Sequence, residues 1–318
     1  MVLSVPLRAA RRLYRAVEPD EQGPPDPAAL VGGQAASDLI RRGLEGDAPS
    51  MVARFGSSEL GCVLTHIAMT RRASRATKAV DYVRGRAAPF WWSGVGTAVC
   101  YFSGVFPCEP AILSRYAELT LADTAELDVL ASWLPGERQL GERLDGVQRV
   151  PLRDLEPYYH ENPWSAALAG RTVLVVHPFE QSIRDQYARR RELFSDPRVL
   201  PDFELKTLRA VQSIAGAKTP YASWFDAYDH MCEAIAATEF DIALIGCGAY
   251  GFPLAAHVKR LGKHAVHLGG ATQYLFGIRG RDADKNPGKR AIYTDAWVRP
   301  REDERPENYL TIEGGRYW

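Results

Sequence analysis

The stretch FDIALIGCGAYGFPLAAHVKRLGKHAVHLGG, Phe240 to Gly270, narrows the fold more than any other part of the chain. An unbroken apolar run is followed by a glycine turn, a helical stretch ending in Leu-Gly, and a second apolar run. A strand with no polar alternation is buried on both faces, as in a parallel sheet covered by helices. The same grammar recurs upstream. RTVLVVHPF from Arg171 and FELKTLRAV from Phe203 read as strands, and Ser223 to Ala237 reads as a helix. SMVARFG, Ser50 to Gly56, is a short strand with a helix expected from about Glu59, and Gln34 to Leu44 is a further helix. The fold class expected is α/β, a Rossmann-like doubly wound and mostly parallel sheet.

Three segments are expected along the chain: a basic helix and linker over 1–30, the main domain over 31–280, and a polar, aromatic tail over 281–318. The tail carries Tyr293, Trp297, Tyr309, Tyr317 and Trp318, so it is expected to pack down as a cover. Glu109 to Trp133 reads as helical, and the Pro- and Gly-broken stretch Pro135 to Pro163 as a junction or excursion. At the N-terminus, Leu3, Leu7, Ala10, Tyr14 and Val17 share one helical face, with Arg8, Arg11, Arg12 and Arg15 around it. That pattern fits peripheral contact with an anionic membrane, or a helix docked on its own domain.

Lys plus Arg and Asp plus Glu balance at 39 each, which gives no support to a nucleic-acid partner. Five scattered cysteines, with no CxxC, are expected as thiols in a reducing cytoplasm. GxxxxGK[ST] and GxSxG are both absent from the sequence.

Gly246, Gly248 and Gly251 form a GxGxxG between a strand and a helix, with Tyr250 inside it. Such a turn lets backbone approach a phosphate at a helix N-terminus, or is simply tight. NAD is not expected. Its fingerprint needs an acid at the end of the next strand, and here that strand ends in His267, Leu268, Gly269 and Gly270. In a doubly wound sheet the strand C-termini share one edge. That edge is expected to gather the glycine turn, His267 to Gln273 with Gly269, Gly270 and Thr272, the HPFE loop with His177 and Glu180, and RFGSSE with Arg54, Gly56, Ser57 and Glu59. Arg279 and Arg281 are candidates to add positive charge.

Each side chain carries alternatives. His177 and His267 can act as a base or a ribose or phosphate partner, or be satisfied core histidines. Glu59 can be a metal ligand or base, or an acid favoured by the helix dipole. Glu180 can be a second acid or a helix-cap neighbour. Asp226 with His230, and Trp91 with Trp92 as a sugar platform, are weaker candidates.

RFGSSEL, Arg54 to Leu60, resembles the Arg-Phe-Gly-Asp-x-Glu motif of the GT-D fold glycosyltransferases. DIALIGCGAYGFPLAAHVKRLGKHAVHLG resembles that family's closing strand–turn–helix–strand segment. The resemblance implies a Rossmann-like domain that transfers sugar from a nucleotide-diphosphate donor to a glycan, lipid-linked or protein acceptor. It also implies Mn²⁺ or Mg²⁺ on the donor diphosphate, held by the Asp-x-Glu pair. Glu59 matches the second acid, but Ser57 stands where the first Asp belongs. That departure implies a weakly held metal, a substitute acid, positive side chains in its place, or a binding module without turnover.

Overall fold

The computed structural model describes residues 4–18, 29–281, 284 and 287–318. Most of the linker expected before Leu30 lies outside these residues. Seven strands form one sheet: β1 (Met51–Ala53), β2 (Val129–Ser132), β3 (Gln148–Pro151), β4 (Thr172–His177), β5 (Glu204–Arg209), β6 (Ile242–Ile245) and β7 (His264–His267). Their order is β3-β2-β1-β7-β6-β4-β5, and every pairing is parallel. Successive residues of a strand face opposite layers. Thus Leu174 and Val176 join one core, and Val173 and Val175 the other.

The first core is covered by α3 (Ser57–Thr70), α5 (Val95–Ser103), α6 (Pro110–Asp123), α8 (Trp224–Ala236) and α9 (Gly251–Arg260). The second is covered by α2 (Gln34–Glu45), α7 (Glu180–Ala188), α10 (Ala271–Leu275) and the C-terminal tail. Helices on both faces of a parallel sheet make the fold doubly wound and Rossmann-like. The connection leaving β4 runs to one side, to β5, and the one leaving β6 runs to the other, to β7. The crevice at the strand C-termini opens where these paths diverge.

Two strands escape the sequence reading. β2 lies in the stretch expected to be helical, because VLA buried on both faces looks like a turn of core helix. β3 lies in the expected excursion; it is an edge strand with one fully buried residue, Val150, and a terminal proline. The segment 135–163 therefore contributes one strand, Gln148–Pro151, to the sheet, with 3₁₀ stretches on either side.

The tail docks through specific bonds. Glu304, which is buried, accepts from the Gln181 amide (2.6 Å) and the Ser182 amide (3.3 Å), capping α7. The Gln186 side chain donates to the Gly277 and Ala296 carbonyls at 3.1 and 3.0 Å.

At the other end, α1 (Ser4–Val17) packs on α4 (Arg75–Val83). Arg8 Nη2 donates to the Ser93 carbonyl at 2.6 Å, and Arg11 lies 4.7 Å over the Tyr82 ring. Leu7, Ala10 and Tyr14 face the domain, whereas Val17 is exposed and Leu3 lies outside the described residues. Cys100 and Cys108 are joined as a disulfide, Cα to Cα 5.8 Å, which corrects the expectation of thiols throughout. Cys62 and Cys247 are buried thiols, and Cys232 is half-buried.

Candidate functional site

A cavity of about 690 Å³ opens at the C-terminal edge of the sheet. Into it run the turns after β1, β4, β6 and β7, the C-terminal end of α5 and the last residues of the tail. Of the residues expected at this edge, Arg54, Gly56, Ser57, Glu59, His177, Gly246, Gly248, Tyr250, His267, Gly269, Gly270 and Gln273 line it.

Four helices begin here, α3, α7, α9 and the short α10, and the first turns of the three longer ones differ. The α7 amides are capped by Glu304. The α9 start is closed by a 3₁₀ turn over Gly248–Tyr250, whose Gly248 carbonyl takes the Gly251 amide. The start of α3 is open: among the described residues no group accepts from the Ser57, Ser58 or Glu59 amides, and the cap residue Gly56 has no side chain to do so. Free amides at the end of a 14-residue helix carry partial positive charge toward the cavity.

Arg54, from the end of β1, supplies a full charge beside them. Its guanidinium lies 5.2 Å over the Trp133 ring and has no hydrogen bond or ion pair among the described residues. Burial pulls its pKa below the ordinary arginine value while the Glu59 carboxylate pulls it back up; arginine stays charged under such opposing pulls. Trp133 is held beneath it by its indole N–H, which donates to the Phe55 carbonyl at 2.9 Å. Buried Glu137 secures that turn, accepting from the Trp133 and Leu134 amides at 3.2 and 3.1 Å and from the Ser132 hydroxyl.

The Glu59 carboxylate folds back over Gly56, where a Cβ would lie 1.9 Å from its Oε2. It accepts from Ser58 Oγ at 2.9 Å, and Ser58 Oγ in turn meets Ser103 Oγ of α5 at 2.5 Å.

His177 is buried, and burial pushes its pKa down to about 3. Its Nδ1 accepts from the Phe179 amide at 3.0 Å, which places the ring proton on Nε2. Of the alternatives open to His177, this geometry favours a neutral donor to a ribose or phosphate over a base, because the Nδ1 lone pair is already used. His267 is buried and neutral too, with its pKa pushed to about 3 by burial and by Arg54. Its Nδ1–H donates to the Ile245 carbonyl at 3.2 Å.

Several expected ligands turn out to hold the edge together. A Cβ on Gly251 would lie 2.0 Å from the His267 ring, and one on Gly246 would lie 2.4 Å from Thr272 Oγ1. These glycines permit close packing, and Gly251 does not line the cavity. Thr272 is fully buried and donates to the Ile245 carbonyl at 3.3 Å. The Gln273 amide is committed to the Ile278 and Tyr317 carbonyls at 3.2 and 3.1 Å. Tyr250 stacks on Trp224, with ring centroids 4.8 Å apart, and its hydroxyl meets Ser213 Oγ at 3.2 Å.

Glu180 is outside the cavity, accepting from Thr207 Oγ1 at 2.6 Å and pairing with Arg184 at 3.1 Å, so the edge does not bring it together with the other candidates. Asp226 caps α8 through the Ser223 amide at 2.8 Å, and Trp91 packs on Tyr82 with centroids 4.8 Å apart. Arg279 and Arg281 do not line the cavity. Arg316, paired with Glu313, does so in their place, beside Tyr317, which lies against Gly270. Arg316 and Trp133 went unseen in the sequence because each reaches the site from a segment far from the motifs.

The donor set offers a divalent metal little. Among the described residues no group of three or more His, Cys, Asp or Glu is placed to hold one. Ser57 beside a single carboxylate at Glu59 is not the oxygen cage such an ion takes. Comparison of the chain with family models, curated proteins and solved structures returns no match in any of the three.

Proposed function

We propose that the protein is a glycosyltransferase that moves a sugar from a nucleotide-diphosphate donor to a hydroxyl of a glycan or glycoconjugate acceptor. The observation that carries this reading is the turn after β1. Its unpaired Arg54, the open first turn of α3 and the Glu59 carboxylate all face one cavity.

A leaving diphosphate gathers negative charge as the anomeric carbon–oxygen bond breaks, and preorganised donors stabilise it most when water is excluded. Arg54, the Ser57 to Glu59 amides and the Nε2–H of His177 are such donors. Glu59 is the carboxylate placed to take the proton from the attacking acceptor hydroxyl as its oxygen bonds to the anomeric carbon. The electron pair of the broken bond leaves with the diphosphate. No step runs through a metal, since these residues do not suit one, and none involves NAD.

A thermal-shift series with nucleoside diphosphates, nucleotide sugars and NAD tests the binding half. At 100 times its Kd a ligand stabilises by about 2.7 kcal/mol. Stabilisation by one nucleoside diphosphate and not by NAD is expected. Glu59→Gln tests the chemistry: it should lower kcat about 100-fold or more while leaving donor affinity nearly unchanged. The second reading, a nucleotide- or sugar-binding module without turnover, draws on Ser57 in place of the family's acid. Donor turnover that Glu59→Gln removes would end that reading, and a variant with full turnover would end the role given to Glu59.

A further inference from the structure

The outward face of α1 has a composition unlike the rest of the surface. Val5, Leu13 and Val17 are 72%, 72% and 82% exposed, and Val80 on the adjoining α4 is 47% exposed. Four of the eight exposed large apolar side chains among the described residues thus sit on one helix pair. At about 100° per residue, Val5, Ala9, Leu13, Ala16 and Val17 fall within a single arc of roughly 120°. Arg12, and beyond it Arg8 and Arg15, border that arc on one side. The opposite face is the one that docks, through Leu7, Ala10, Tyr14 and the Arg8 and Arg11 bonds to the 82–93 region. The apolar arc is therefore not the helix's contact with its own domain.

Charge adds an independent observation. Residues 4–17 and 71–86 together hold ten Arg and Lys (Arg8, Arg11, Arg12, Arg15, Arg71, Arg72, Arg75, Lys78, Arg84 and Arg86) against one acid, Asp81, in a chain whose charges balance only as a whole. Arg72, Arg75 and Arg84 are exposed, and Arg84, which ends α4 as its cap, follows exposed Val80 by four residues.

We propose that the α1–α4 surface docks on an anionic phospholipid bilayer. Val5, Leu13 and Val17 enter the acyl boundary, and the arginines lie among the headgroups. A helix with one apolar face edged by basic residues is the form that lies in a membrane interface. A second copy of this chain fits poorly, because a symmetric contact would set ten cations against ten. Nucleic acid would satisfy the arginines but leave the valines and leucine in water. The proposal stands apart from the transfer reading.

The test is co-sedimentation of the full chain with vesicles of phosphatidylcholine alone and of phosphatidylcholine mixed with phosphatidylglycerol. Binding to the mixed vesicles, weakened by added salt, is expected, with little to the neutral ones. Arg12→Ala should weaken it about fivefold, the effect of one basic residue at such a surface. Leu13→Glu with Val17→Glu should weaken it at least tenfold, with an unchanged melting temperature showing that the fold is intact. Equal partition to both vesicle types overturns the proposal. So does a double variant that binds as the parent does, or a concentration-dependent dimer that the double variant dissolves.

Discussion

The turns after β1 and after β6 leave the same edge of the sheet and each opens a helix, yet they spend glycine differently. In the β6 turn, Gly246, Gly248 and Gly251 bring backbone against Thr272, Ser103 and His267, and the helix start is closed. In the β1 turn the single Gly56 makes room for the Glu59 carboxylate, and α3 starts open beside an unpaired arginine. The turn with the recognisable glycine fingerprint is the internal joint. The plainer turn presents the charge and the free amides. A glycine pattern reports close backbone approach, and the approaching partner can be a ligand or the protein's own neighbouring turn.

Adding one methyl group to each turn tests that difference most severely. Gly251 has ordinary helical angles, φ −60° and ψ −45°, so alanine there is not strained in the backbone. Its Cβ would, however, lie 2.0 Å from the ring of buried His267, which is tied to the Ile245 carbonyl. Overpacking of this kind costs about 3 kcal/mol or more, and a large fall in melting temperature is expected for Gly251→Ala. In Gly56→Ala the atoms nearest the new Cβ all belong to the Glu59 carboxylate, the end of a flexible side chain, so stability should fall by less than about 1 kcal/mol while turnover is lost. Equal destabilisation by the two would show that both turns are packing joints.

Arg54 sharpens the comparison from the open side. Replacing a half-buried cation, which no carboxylate of the described residues pairs, by an apolar side chain removes part of a desolvation burden, so Arg54→Met should leave stability unchanged or slightly raised. The same variant should weaken nucleoside diphosphate binding by about 1.5–3 kcal/mol, the worth of a hydrogen bond to a charged group, read by titration calorimetry. A marked loss of stability with no loss of binding would make Arg54 a structural partner of Glu59 and Trp133.

What the chain discloses in one dimension follows the range of the forces involved. β4, β6 and β7 are legible because a strand buried on both faces must be apolar throughout. That rule also brings their end loops to a common edge, so His177, Gly248 and Gly269 could be grouped in advance. β3 exposes too much of itself to show such a run, and β2 follows directly on a long helical pattern, where its VLA reads as one more turn of core helix. Glu180 was misplaced because its position at the start of α7 says nothing of its rotation, which Thr207 on β5 decides. Arg316 and Trp133 carry no local mark at all. They reach the cavity because Gln273 holds the Tyr317 carbonyl and Glu137 holds the amides of the Trp133 turn, and both are long-range or buried polar events.

The smallest effect separates the two histidines that end β4 and β7. Both are about 5% exposed or less, and both have folded-state pKa values near 3 against about 6.5 when unfolded. Between those values the unfolded chain binds the extra proton and the folded one does not. Stability is therefore full above pH 6.5 and is lost as pH falls toward 3, by about 1.4 kcal/mol per pH unit for each histidine. Urea denaturation of His177→Gln and of His267→Gln from pH 6.5 to 4.5 should each show a slope shallower than the parent's by that amount, the exposed carboxylates being common to all three proteins. His267 is wedged on Gly251 in the closed joint, whereas His177 borders the cavity. A full effect at His267 with none at His177 would mean that water in the cavity solvates the His177 imidazolium, and the open side of the edge would then reach as far as β4.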